Sequence, residues 1–190
     1  MEEFIMTYHG RSRHSHGFSL IETITVIAVL VITTGIALPG YDYLLGRNYQ
    51  TTSINQFSTT QAQARYHAVN HLSRVVLCPS SNLRDCTGGF EWHTGYIAFV
   101  DDNMDKQRNT DEEIISVVEK AHGSVSIKTS SGRRKIIFRP SGSSPGSNAT
   151  VLFCTNRDSL PGKALILSNT GRARLAKKLA GGKNIPCSLD

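Results

Sequence analysis

The residues most able to do chemistry are crowded near the C-terminus. Ser168 to Cys187 reads "SNTGRARLAKKLAGGKNIPC" and holds Arg172, Arg174, Lys177, Lys178 and Lys183 with no acidic residue among them. In Gly171-Arg172-Ala173-Arg174 the two arginines are separated by one residue. If that segment is extended, both guanidinium forks point to one face and can meet successive phosphates of a single strand. A second basic cluster, Arg133, Arg134 and Lys135, falls on a turn that would add charge if it lies alongside. No aromatic residue is interleaved between Arg172 and Lys183. Taken alone, the segment therefore has no platform on which bases could stack, and it suits salt-dependent contact with a polyanion backbone. The plainer reading is a solvated cationic face.

Other constellations are weaker. Asp101, Asn103, Asp105 and Glu112 stand at positions 1, 3, 5 and 12 of the calcium-loop pattern, whose oxygen ligands suit a hard cation. Lys106, however, occupies the sixth position, where the sharp turn needs Gly, so the stretch reads as a hairpin turn. His67 and His71 lie four apart and share one helix face. Without a Glu after the first they form no metalloprotease box, and they read as two exposed histidines. No nucleophile elbow or other catalytic spacing appears. The sequence points to no enzyme, no cofactor and no metal.

The elements that must position these residues begin with an apolar run. Residues 18–38, "FSLIETITVIAVLVITTGIAL", carry Glu22 as their only charge, and roughly 20 apolar residues suffice to cross a bilayer core. Arg11 and Arg13 precede the run, as expected of a cytoplasmic flank. That places residues beyond it on the opposite side of a membrane. All four cysteines lie beyond the run, which fits an oxidising compartment and two disulfides. Of the three possible pairings, Cys78 with Cys86 and Cys154 with Cys187 is expected because each closes a local loop; spacing alone leaves the other two open. Charge is unevenly spread over the 190 residues, whose formal net charge is +6. Cys78 to Glu119 holds nine acids and three bases, net −6, whereas Lys120 to Asp190 holds thirteen bases and two acids, net +11.

A carboxylate inside an apolar run costs about 2.5–3.5 kcal/mol at mid-bilayer and is a functional hypothesis by default. At this point "HGFSLIETITVIAVLVITTGIALPGY" resembles the type IV pilin and pseudopilin superfamily: Gly17, Phe18, Leu20 and Glu22 match its leader signal, and Pro39 stands where pilins often carry a helix-kinking proline. The resemblance implies a leader over residues 1–17, cleavage between Gly17 and Phe18 by a prepilin peptidase, and N-methylation of Phe18. It also implies an assembly role for Glu22, paired with the α-amino group of a neighbouring subunit. The partners implied are other pilins or pseudopilins in a filament, and the inner membrane before assembly, with the C-terminal domain periplasmic.

Past Pro39 the chain turns polar while staying helix-compatible to about Ser73. Ile54, Phe57, Gln61, Ala64, Ala68 and Leu72 recur at steps of three and four and form a stripe that could lie on a sheet. A helix from Phe18 to about Ser73 would be roughly 80 Å long. It divides into a transmembrane and polymerisation segment over residues 18–38 and an amphipathic continuation over residues 39–73.

Residues 74–190 read as a β-rich domain. Strands are predicted at Arg74–Cys78, Tyr96–Val100, Ile114–Val118, Val125–Thr129, Lys135–Arg139, Thr150–Cys154, Ala164–Leu167 and Arg172–Ala176, with "SGSSPGSNAT", Ser141–Thr150, as the clearest loop. The expected fold class is α+β, pilin-like: a long N-terminal helix packed on one antiparallel sheet or two small ones. "GYIAFVDDNMDKQRNTDEEII" and the Gly-Arg-x-Arg stretch are similar to the FimT and GspH branch of the superfamily. The FimT resemblance implies a minor pilin whose Arg172 and Arg174, helped by Lys177, Lys178, Lys183 and Arg133–Lys135, bind DNA for uptake in natural transformation. The GspH resemblance implies a structural subunit of the type II secretion pseudopilus.

Overall fold

Ser19 opens the long helix. Its hydroxyl accepts a hydrogen bond from the Glu22 backbone amide at 3.3 Å, an N-cap with an acid at the third helical position, where the helix dipole favours negative charge. From there α1 runs Leu20–Asn70, 51 residues, in a computed structural model that describes residues 17–156 and 160–187, with the side chains of 36–40 and of Ala180 apart. Residues 1–16 of the expected leader 1–17, including Arg11 and Arg13, and the side chain of Pro39 lie outside the described residues. Gly17, Phe18 and Ser19 precede the helix and are exposed.

Contacts divide the chain into two units, Met1–Gly40 and Tyr41–Asp190. In the first, the described side chains of Leu20 to Gly35 are all exposed. Among the described residues no helix is long and apolar enough to cross a membrane; the described side chains stop short of the whole run 18–38. The second unit carries its own core.

Eight strands follow α1: β1 Val75–Pro79, β2 Tyr96–Val100, β3 Ile114–Val118, β4 Val125–Lys128, β5 Ile136–Phe138, β6 Ala149–Thr155, β7 Lys163–Leu167 and β8 Ala173–Ala176. They form two four-stranded sheets, ordered β3-β2-β1-β5 and β4-β6-β7-β8. All their pairings are antiparallel. Alternation of side chains along each strand explains how one core joins both sheets to the helix. Val75 and Leu77 of β1, Ile136 and Phe138 of β5, Val151 and Phe153 of β6, and Leu165 and Leu167 of β7 share a cluster with Ile54, Phe57, Ala64 and Ala68 of α1. The opposite face of the first sheet has a smaller cluster of Val76, Cys78, Ile97 and Phe99, all fully buried. On the outer face of the second sheet a third cluster gathers Leu152, Ala164 and Ile185.

Phe57 is the hub of the main core. It has no exposed surface and meets Trp92 at 5.3 Å and Phe153 at 5.8 Å in edge-to-face contacts, and Tyr96 at 5.2 Å. Such geometry suits the quadrupoles of the rings. The buried indole donates to Thr129 Oγ1 at 3.0 Å. Burial pushes the Tyr96 hydroxyl well above its ordinary pKa, and its hydrogen bond with Thr60 only partly opposes this.

The stripe predicted on the helix ends one turn early. α1 stops at Asn70 and Leu72 is exposed, with φ 50° in the left-handed region. The Ser73 amide donates back to the Ala68 carbonyl at 3.2 Å, the signature of a Schellman cap in which Leu72 takes the position usually given to Gly. That cap turns the chain directly into β1, so Leu72 never reaches the core.

Both disulfides join the locally paired cysteines, Cys78 with Cys86 and Cys154 with Cys187. The second ties the C-terminal segment to β6. It passes so near Gly162 that a Cβ there would lie 2.7 Å from Cys187 Sγ.

Two stability changes follow from this packing. Phe57→Ala should cost about 3–5 kcal/mol, because the surrounding rings cannot all collapse into the space. Leu72→Gly should raise stability by about 0.5–1 kcal/mol, since relief of left-handed strain exceeds the added chain entropy. Urea unfolding of the Tyr41–Asp190 domain measures both, and a destabilised Leu72→Gly would overturn the account of the cap.

Candidate nucleic-acid interface

The basic segment is built on a hairpin. β7 and β8 pair from Ala164 with Ala176 to Leu167 with Ala173, and the connecting turn is closed by Gly171 N donating to Ser168 O at 2.9 Å and Ser168 N donating to Arg172 O at 3.0 Å. Gly171 has φ 76°, and a Cβ on it would sit 2.2 Å from the Gly142 carbonyl oxygen. Only Gly serves there. Two side chains of α1 hold the meeting of these turns: Gln61 Nε2 donates to Gly171 O at 3.2 Å, and Arg65 Nε donates to Gly142 O at 2.9 Å.

Since β8 begins at Ala173, the alternation expected over both arginines covers only Arg174. Arg174 stands opposite Ile166, a residue packed against the outer cluster. Arg172 instead lines a groove of about 670 Å³ between α1 and β8, with Arg65, Tyr66 and Leu175. Both arginines are exposed. Among the described residues neither has a carboxylate partner; the ion pairs Arg74–Asp101 and Lys128–Glu91 lie elsewhere. β8 is an edge strand, so this charge is borne on an open rim of the second sheet.

Lys177, Lys178 and Lys183 are exposed on the segment between β8 and Cys187. One further step of the β7–β8 register sets Lys163 opposite Lys177. Gln50 Nε2 donates to the carbonyls of Phe153 and Pro161 at 3.0 and 3.1 Å, which places this part of α1 over the same end of β7, and Arg47 is one turn before it. Lys163 feels the convergence: burial lowers its pKa first, and the positive Arg47 and Lys177 lower it further. Arg47, Arg65 and Lys163 were not among the predicted site residues. Arg47 and Arg65 lie far in sequence from the basic stretch, and Lys163 sits on a strand whose local pattern reads as core face.

The Arg133–Lys135 cluster is divided. Arg133 hydrogen-bonds the Gly146 carbonyl at 2.6 Å and Asn148 Oδ1 at 2.9 Å, and it lines a cavity of about 380 Å³ with Ile166 and Leu179. That brings it to the sheet face on which Arg174 stands. Arg134 Nε donates to the Ser131 carbonyl at 3.0 Å. Lys135 turns towards the β2–β3 loop, where it donates to the Lys106 carbonyl. Burial lowers its pKa, opposed by Asp101 and Asp105.

That loop is braced by its own acids. Glu112 accepts from the amides of Asp102 at 3.1 Å and Asn109 at 2.9 Å. Asp101 pairs with Arg74 at 3.1 Å and accepts from the Lys106 amide. Asp105 accepts from the Gln107 amide, which with bonds from Asn109 and Asn103 holds its pKa below the usual carboxylate value. Among the described residues no group of three or more His, Cys, Asp or Glu is placed to hold a metal ion. His67 and His71 stack at 4.1 Å, and His67 is half-buried rather than exposed. Burial lowers its pKa, the His71 charge lowers it further, and Glu113 opposes both.

A long helix laid across two antiparallel sheets, with a disulfide-tied C-terminal segment, is the architecture of a pilin-like subunit. Residues 53–171 match the family model of type II transport protein GspH, and the chain belongs to that family. Among solved structures it is similar to the type IV minor pilin FimU of Pseudomonas aeruginosa, with TM-score 0.52 and 18% identity over 68% of this chain and 90% of that one. A second crystal form of FimU gives 0.48 and 16% over 66% and 91%. No curated protein matches the sequence. Membership of this family implies assembly with other pilins or pseudopilins into a filament, and its members are structural subunits rather than enzymes.

Two measurements probe this geometry. Gly171→Ala should destabilise the domain by about 2 kcal/mol or more, through the strained φ and the clash with the Gly142 carbonyl, whereas Ala173→Gly should leave the hairpin turn intact. The folded-state pKa of His67 lies below its ordinary 6.5, so the unfolded chain binds more protons in that window. Stability should therefore be full above about pH 6.5 and fall as pH drops through that unfolded value. His67→Gln should flatten this part of the stability profile; an unchanged profile would exclude His67 as its source.

Proposed function

We propose that this chain is a FimT-like minor pilin that captures DNA without sequence preference, through Arg172 and Arg174 with Lys177, Lys178, Lys183 and Arg133 as auxiliary charges, for uptake in natural transformation. The observation that carries this reading is the pair of exposed arginines at the free edge of the second sheet, Arg174 on β8 and Arg172 in the turn before it, with no carboxylate beside them among the described residues. An open cationic rim of this kind can approach a phosphate backbone without first giving up an ion pair. In this reading the chain is anchored by residues 18–38 in the bacterial inner membrane with its second unit periplasmic. It is cleaved after Gly17 by a prepilin peptidase, is N-methylated on Phe18, and enters the pilus through Glu22 paired with a neighbour's amino terminus. The Ser19 cap also gives Glu22 a place in the first helical turn, so cap and assembly roles are compatible.

A second reading is a minor pseudopilin of a type II secretion pseudopilus, favoured by the description of the matched family. Retardation of DNA separates the two. The Tyr41–Asp190 domain should bind duplex DNA at low salt, and Arg172→Ala with Arg174→Ala should reduce binding at least tenfold and lower the slope of log affinity against log salt by about two. Absence of binding by the unmodified domain would favour the secretion reading. Glu22→Ala in the full chain should leave cleavage intact and reduce incorporation into filaments; normal incorporation would exclude the pairing.

A further inference from the structure

The sequence offers no aromatic residue near the arginines, but the fold supplies one. Tyr66 projects from α1 into the groove that Arg172 lines, and 70% of its surface is exposed. Its neighbour Arg65 lines the same groove and is fixed through Nε to the Gly142 carbonyl, which leaves the terminal guanidinium nitrogens for other partners. Leu175, 51% exposed, forms part of the opposite wall. One wall is thus a helix face stepping through Asn55, Ser58, Ala62 and Tyr66, about 16 Å long at 1.5 Å per residue, and the other is the free edge of β8.

We propose that this groove binds single-stranded nucleic acid, Tyr66 stacking on an unpaired base while Arg65 and Arg172 contact the phosphates on either side. The proposal rests on the DNA-binding reading above and adds to it a ligand class and two residues. The combination of a cationic groove and an exposed ring is what sequence-tolerant single-strand binding requires, since every base offers a π-face. A base stacked within a duplex has both faces covered and offers none to Tyr66, whereas an unpaired base offers its face to the exposed ring. The two walls favour the same ligand: Ala62 on the helix and Leu175 on the strand present apolar surface that a base can cover and a hydrated phosphate backbone cannot.

Tyr66 is exposed and makes no core contact, so Tyr66→Ala should fold as the parent does. The second unit has its own core and both disulfides, so the Tyr41–Asp190 domain is the sample. Fluorescence anisotropy would compare three labelled probes of equal length: oligo-dT, an abasic strand carrying the phosphates alone, and a duplex. The expected order is oligo-dT tightest. Tyr66→Ala should weaken oligo-dT about tenfold, leave the abasic strand unchanged and leave the salt slope unchanged, while Tyr66→Phe retains binding. Arg65→Ala should instead weaken both single strands and lower the slope by about one. Equal affinity of the parent domain for oligo-dT and the abasic strand, or an unaffected Tyr66→Ala, would overturn the groove while the DNA-binding reading stands. Failure of the parent domain to bind any probe at low salt would remove both.

Discussion

Everything in the second unit depends on one helical seam. Gln50, Ile54, Phe57, Gln61, Ala64 and Ala68 recur at steps of four and three, and all are buried. Neither sheet could stand alone: each has four short strands with an apolar face that needs a cover. The seam covers both at once, and Phe57 reaches into Trp92, Tyr96 and Phe153 so that the two sheets share one aromatic centre. The helix is the cover rather than an appendage.

Polar residues on that seam carry the structure outward to the basic rim. Gln50 and Gln61 are buried amides whose donors would be costly if unmet. They are met by backbone carbonyls of the second sheet and its turns. Because these carbonyls belong to Phe153, Pro161 and Gly171, the same bonds that satisfy the helix also fix where the β7–β8 hairpin lies. Arg65 adds a further tie to Gly142. Burial, hydrogen bonding and the position of Arg172 are therefore one linked arrangement.

Much of the fold was legible because its signals are local. All eight predicted strands exist, with no end off by more than one residue, since alternation and turn residues are written within each segment. The local cysteine pairing and the seam from Ile54 to Ala68 were legible for the same reason. The division into two sheets was not, because β1 pairs with β5 across three intervening strands, and no local pattern records that. Leu72 misled because the 3–4 spacing continues through it while the cap geometry does not. At the site, the basic stretch stood out as five basic residues with no acid among them. Tyr66 and Arg65 did not, since a polar helix face facing a groove reads like one facing water, and Lys163 lost its significance without the register that sets it against Lys177. Gly17, Phe18 and Glu22 carry a motif legible in sequence alone, and the processing and assembly roles it implies are part of the proposal.

The contact between Gly171 and the Gly142 carbonyl bears on how Gly-Arg-x-Arg should be used as a search pattern. Its first letter answers to steric fit between two turns, and its arginines answer to charge. A relative that kept the glycine and lost both arginines would retain this hairpin while losing its cationic rim. One that kept the arginines without the glycine would need a different turn to present them. The pattern is thus two independent requirements that happen to be adjacent, and only joint retention speaks to binding.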